Sequence, residues 1–174
     1  IKNNDRTNRP IFSDGASATL IKKSNSKNIG PFSLETDGSG FSDLIVENGA
    51  SRSKLSCESG CSLFMNGSKV FMFTLSNVPR NVKEILDLSD IKIDEVDHFF
   101  FHQASKIVLD NLKRSLSIPS KKFYMGMENI GNTVSSTIPI ALKDAAKSGI
   151  IKKGDILLLS GYGVGLSLGS CIIK

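Results

Sequence analysis

Tryptophan is absent from the 174 residues, and tyrosine and histidine occur twice each. Proton chemistry near neutral pH therefore has few side chains to pass through. Runs of like charge are also missing. The net charge is +5, and the basic residues come singly or in pairs such as Lys113-Arg114 and Lys121-Lys122. A nucleic-acid face would need a clustered basic stripe with stacking aromatics, so no nucleic-acid partner is expected.

Long hydrophobic runs are missing too. The longest uncharged stretch, Ile156 to Ile173, reads ILLLSGYGVGLSLGSCII. Gly and Ser break its middle repeatedly, which fits two buried strands around a glycine turn and no membrane span. Cysteine is scarce and odd in number: Cys57, Cys61 and Cys171. With no secretory pattern, that count argues for reduced thiols and a cytoplasmic setting. Cys57 and Cys61 form a lone C-x-x-x-C without the second ligand pair that zinc requires, so no metal is expected. The chain opens on Ile1 without a charged-then-apolar leader, and the expectation is a piece of a longer protein.

What is present is ordinary globular material. Hydrophobic residues make up 40% and charged residues 22%, enough for one domain with a real core. RPIFSDGASATLIKKS, around Asp14-Gly15, reads as β-rich, and GPFSLETDGSG and SDLIVENG read as strands bounded by turns. The Ser-rich stretch from Ser51 to Ser62 reads as an exposed connection. From Lys69 the period changes. Val70, Phe71, Thr74 and Leu75 share a helical face, Pro79 is expected to kink or divide the helix, and Val82, Ile85 and Leu86 continue it to near Asp90.

VDHFFFHQ reads as a strand, and ASKIVLDNLKRSLSIP as a helix carrying Val108, Leu109, Leu112 and Leu116. KFYMGM reads as another short strand. VSSTIPIALKDAAKSG reads as a helix with Val134, Ile138, Ala141, Leu142 and Ala145 on one side and Gly149 closing it. If Ser135 or Ser136 is its N-cap, Pro139 falls in the first turn, where proline is tolerated. DILLLSGYG and LSLGSCIIK are two final strands. The order strand-helix, strand-helix, strand-strand predicts an α/β layered architecture, a mixed sheet with helices packed on it.

Chemistry concentrates in three places. His98 and His102 flank three phenylalanines. On a strand their rings stand about 13 Å apart, too far to share one ion. His102 sits where a buried strand ends and a helix begins, a place where α/β proteins build sites. The positive end of that helix disfavours imidazolium, so His102 is expected to stay neutral and donate one N–H. A satisfied buried histidine is the plainer alternative. Asn132, in GNT, can donate to a carbonyl without bringing charge, or serve as a turn asparagine. GYGVG fails as a dinucleotide fingerprint because a strand follows it. Its use is close backbone approach, with an N–H near Val164 free to meet an oxyanion, or a plain hairpin turn. No nucleophile accompanies these donors, since Cys171 lies inside a terminal strand.

Taken together, HFFFHQASKIVLDNLKRSLSIP, NIGNTVSSTIPIAL and KKGDILLLSGYGVGLSLGS resemble the C-terminal half of β-ketoacyl-acyl carrier protein synthase III. FSDGASATLI resembles the strand that closes that enzyme's N-terminal half, and MNGSKVF its cofactor-tunnel segment. The resemblance implies a thiolase-like fold, with this chain as one half of a layered αβαβα architecture, usually in a homodimer. It divides the chain into 1–29, the closing region of the N-terminal half, and 30–174, the condensing domain. It implies His102 and Asn132 as the pair that assists decarboxylation, Val164 as the oxyanion-hole amide, and Met65, Gly67, Phe71, Ala104 and Ser105 along the pantetheine tunnel. Substrates would be acyl-coenzyme A and phosphopantetheine thioesters, with no covalent cofactor. Partners would be acyl carrier protein and the N-terminal half carrying the nucleophilic cysteine, which this chain lacks. Ser105 stands where the family often has Asn. Ile107 stands where a basic residue is common, with Lys106 one place earlier. These departures leave the acceptor open. A hydroxymethylglutaryl-coenzyme A synthase-like, polyketide or polysaccharide relative, or a non-catalytic half, are the other readings.

Overall fold

The computed structural model describes residues 1–49 and 62–174. The Ser-rich connection, with Cys57 and Cys61, falls almost wholly outside them. Six strands and three α-helices are described: β1 (Ile29–Thr36), β2 (Leu44–Val46), β3 (Leu63–Met65), α1 (Gly67–Ser89), β4 (His98–Phe101), α2 (Lys106–Ser115), α3 (Thr137–Lys147), β5 (Leu157–Gly163) and β6 (Ser167–Ile173).

The main sheet runs β1-β6-β5-β4, and β2 pairs with β3 apart from it. β4 and β5 are parallel, whereas β5–β6 and β6–β1 are antiparallel, so the sheet is mixed. Strand alternation sends successive side chains to opposite faces. Phe99, Phe101, Leu158, Leu168 and Ile172 pack with Val78, Val82 and Ile85 of α1 and Leu109 and Leu112 of α2. Phe100 and Leu157 point the other way, onto Ala141 and Ala145 of α3. The three phenylalanines are fully buried, so β4 is the strand between two helical layers. At roughly 25 cal/mol per Å² of apolar surface removed from water, such rings dominate the local energetics.

Four expectations need correction. Pro79 does not divide α1, which runs unbroken from an Asn66 N-cap to a left-handed Asp90 C-cap. One helix hydrogen bond is lost at Pro79, while buried Val78, Val82, Ile85 and Leu86 hold both sides of it to the sheet. KFYMGM forms no full strand. Phe123 alone bridges Phe99, through Phe99 N–H to Lys122 O at 2.8 Å and Tyr124 N–H to Phe99 O at 3.0 Å. The β character expected around Asp14-Gly15 is limited to a bridge between Phe12 and Asn132, and residues 13–24 are exposed and carry no strand. Alternating apolar residues need a neighbouring strand to complete a ladder, and no described strand borders them.

Pro139 is the third residue of α3, inside the first turn, where no intrahelical N–H partner is lost. Val134 does not join the helix face. It is 54% exposed and left-handed, with φ of 54°, in a short 3-10 turn that precedes α3. No helix among the described residues is long and apolar enough to cross a membrane.

Candidate active site

His102 directly follows β4. Its N–H donates to Ser160 O of β5 at 2.8 Å, and its carbonyl accepts from Ala104 N–H and from the Tyr162 hydroxyl, each at 2.9 Å. The Tyr162 ring meets the imidazole edge-on, with centroids 5.4 Å apart. His102 Nδ1 lies 2.7 Å from Thr137 Oγ1 at the start of α3. Burial pushes the imidazole pKa down to about 4, so the ring is neutral at physiological pH. The following helix end favours the same neutral state, but burial is what lowers this pKa.

Asn132 arrives from the opposite side. Gly131 before it has φ of 70°, and an added Cβ would lie 3.1 Å from Ser13 Oγ and 3.4 Å from Ile11 O, so a side chain there would be both strained and crowded. The backbone of Asn132 is clamped by residues of the N-terminal segment: its N–H donates to Ile11 O at 3.0 Å and its carbonyl accepts Ser13 N–H at 2.9 Å. The side chain is buried, its Oδ1 accepting Val134 N–H at 2.9 Å and its Nδ2 donating to Ala104 O at 3.3 Å. A backbone N–H can only donate, so the amide orientation is fixed: oxygen toward Val134, nitrogen toward His102's own loop. One amide proton remains for a ligand.

Val164 opens the turn between β5 and β6. Gly163 pairs with Ser167 to close the hairpin, and Leu166 exchanges backbone bonds of 2.8 and 3.0 Å with Asp37 after β1. The turn is thus tied down at its far side while Val164 stays 65% exposed. Ser105 caps α2, its Oγ accepting Val108 N–H at 3.3 Å. Gly67 begins α1 behind the Asn66 cap, and a Cβ built on it meets nothing within 4 Å.

All of these residues face one space. His102, Asn132, Val164, Met65, Gly67, Phe71, Ala104 and Ser105 line a single open cleft of about 1280 Å³, mainly apolar, bordered by β3, α1, α2, α3 and the β5–β6 turn. Segments far apart in sequence thus bring every candidate residue together. The sequence reading missed two groups that hold His102, Thr137 and Tyr162. Thr137 was signalled only as part of a helix start, and Tyr162 only as part of a glycine-rich turn. His98, by contrast, stands apart and reaches Asp155 at 3.4 Å. Cys171 is half-buried on β6 and pairs with Leu159 and Phe32, and burial pushes its thiol pKa up. No cluster of three or more His, Cys, Asp or Glu suited to a metal occurs among the described residues.

A neutral imidazole, an oriented amide and a turn backbone around an apolar cleft suit a ligand that carries carbonyl oxygens. Residues 86–174 match the family model for the C-terminal part of 3-oxoacyl-[acyl-carrier-protein (ACP)] synthase III. The chain belongs to this family. It is 39% identical to the β-ketoacyl-[acyl-carrier-protein] synthase III of Porphyra umbilicalis, over 98% of this chain and 54% of the relative. It is 34% identical to that of Acaryochloris marina, over 98% of this chain and 53% of the relative. The chain therefore spans about half the length of the curated relatives it matches. Among solved structures, the Thermus thermophilus synthase III superposes with a TM-score of 0.88 at 28% identity, covering 99% of this chain and 54% of that one. The priming β-ketosynthase of the R1128 polyketide pathway also gives 0.88 at 28% identity, covering 97% of this chain and 51% of that one. The fold is accordingly thiolase-like, as the resemblance in the sequence implied.

Proposed function

We propose that this chain is the C-terminal part of a 3-oxoacyl-acyl carrier protein synthase III-type transferase in fatty acid or related biosynthesis. Residues 1–29 belong to the closing region of the N-terminal half, and 30–174 form the condensing domain. The reaction is a decarboxylative Claisen condensation. A cysteine of the N-terminal half displaces coenzyme A from an acyl-coenzyme A and holds the acyl group as a thioester. A malonyl thioester on acyl carrier protein then loses CO₂, leaving the C–C bonding pair as an enolate. That carbon attacks the acyl thioester, and the cysteine leaves as thiolate.

The observation that carries this reading is the pairing of neutral His102 with the fixed amide of Asn132 in one cleft. Neutral donors stabilise an enolate oxygen as it forms without attracting the starting carboxylate, so they act more on the transition state than on the ground state. The Val164 amide serves the tetrahedral oxyanion of the second step. Met65, Gly67, Phe71, Ala104 and Ser105 receive the pantetheine arm. No covalent cofactor is involved. A homodimer and a cytoplasmic setting belong to the same reading. Priming of a polyketide pathway is a second reading, favoured by the likeness to the R1128 ketosynthase.

Mass spectrometry of the longer protein after mixing with acetyl- or longer acyl-coenzyme A tests the reading. An acyl adduct on a cysteine outside this chain is the expected result. No adduct with any acyl donor would refute it.

A further inference from the structure

The backbone of His102 is pinned by β5 and by the Tyr162 hydroxyl, and its ring is braced by Tyr162. What remains to be set is the position of the single ring proton. The group in contact with Nδ1 is Thr137 Oγ1, at 2.7 Å, and Thr137 is itself buried. A threonine hydroxyl has one proton and two possible recipients here: His102 Nδ1, or Val134 O at 3.0 Å. Val134 O already accepts the Thr137 backbone N–H in the 3-10 turn, so it does not need the hydroxyl proton. The 2.7 Å separation is that of a hydroxyl donor and shorter than the roughly 2.9–3.0 Å usual for an N–H donating to oxygen, which places the shared proton on Thr137 Oγ1.

We infer that Thr137 is a positioning residue whose hydroxyl donates to His102 Nδ1 and so holds the imidazole as the Nε2–H tautomer, with its proton available to the cleft. This rests on the proposed function only in what the proton is for. With Nε2–H facing a thioester carbonyl, His102 and Asn132 both present donors to one oxygen. In the other tautomer, Nε2 would turn a lone pair toward that oxygen and repel it. A hydrogen bond donated to Nδ1 also polarises the ring and strengthens Nε2–H as a donor. His102 needs no carboxylate partner, and none is needed to keep it neutral.

The test uses the longer protein, isotope-labelled at histidine, with acetoacetyl-coenzyme A as the bound β-ketoacyl thioester. Nitrogen NMR should show a pyridine-like, hydrogen-bonded Nδ1 and a protonated Nε2 at His102. A protonated Nδ1 would overturn the inference. Thr137→Val should move the Nδ1 resonance to that of an unbonded ring nitrogen. It should also lower kcat for CO₂ release about 10- to 100-fold, the range typical when an orienting partner is removed, with KM little changed. Thr137→Ser should restore both. Wild-type kcat in Thr137→Val, or a Thr137→Ser as slow as Thr137→Val, would contradict it. If Thr137→Val fails to fold, the tautomer in the unsubstituted protein still decides. A correct tautomer in a protein that releases no CO₂ would leave the Thr137 role standing and refute the proposed function instead.

Discussion

Asn132 Oδ1 accepts the backbone N–H of Val134 at 2.9 Å, and this one bond decides which end of the amide is free. It also helps hold Val134, a β-branched residue, at φ of 54°, a conformation that costs on the order of 1–3 kcal/mol. Asn132→Asp keeps that bond but replaces the amide nitrogen, with its free N–H and its bond to Ala104 O, by a carboxylate oxygen. The fold should survive with lowered stability, because that oxygen then faces the Ala104 carbonyl. The rate of CO₂ release from a malonyl thioester should fall roughly 10²–10³-fold, the usual loss of one oxyanion-type donor. Thermal unfolding alongside the rate assay separates loss of chemistry from loss of structure.

Burial places the His102 pKa at about 4, below the unfolded value of 6.5. Between those values the unfolded chain binds a proton that the folded chain does not. Stability is therefore unaffected by His102 above about pH 6.5, and falls as pH drops toward 4, by at most roughly 1.4 kcal/mol per pH unit. Denaturant melts at several pH values, for the protein and for His102→Asn, should show the shallower acid slope in the variant. Equal slopes would mean the imidazole is not held neutral by burial.

Phe100 turns away from Phe99 and Phe101 and stacks on Tyr124 with centroids 5.1 Å apart, over Ala141 and Ala145 of α3. Those two alanines are too small to refill a missing ring. Phe100→Ala should cost about 3–5 kcal/mol by denaturant unfolding. A cost below about 1 kcal/mol would show that α3 collapses onto the strand.

Gly67 lines the cleft with open space beyond it. Gly67→Ala should leave KM for acyl-coenzyme A near its original value. Gly67→Trp should raise it by an order of magnitude or more, through loss of room for the arm. Steady-state kinetics distinguish the two, and an unchanged KM in Gly67→Trp would remove Gly67 from the substrate path.

Much of this was legible in the chain itself. HFFF declared a strand because three consecutive aromatics fit a sheet buried on both faces, and the glycine hairpin at the end declared β5 and β6. His102, Asn132 and the Val164 turn stood out from the residues themselves, whereas Met65, Gly67, Phe71, Ala104 and Ser105 were legible only by family likeness, because cleft formation joins β3, α1, α2, α3 and the final turn across long sequence separations. Thr137 and Tyr162 escaped for the same reason, since hydroxyls in a helix start and a glycine turn carry no local sign of a partner elsewhere. Pro79 misled because a local rule about helix breaking was outweighed by tertiary packing on both sides of it.

The most direct measurement is CO₂ release from a malonyl thioester by the longer protein, compared between the natural residue and Ala at position 102, with acylation by acyl-coenzyme A followed in parallel. His102→Ala should still form the acyl adduct while CO₂ release falls by at least about 100-fold. Release at the original rate would contradict a role for His102 in decarboxylation and leave it a satisfied histidine of the core.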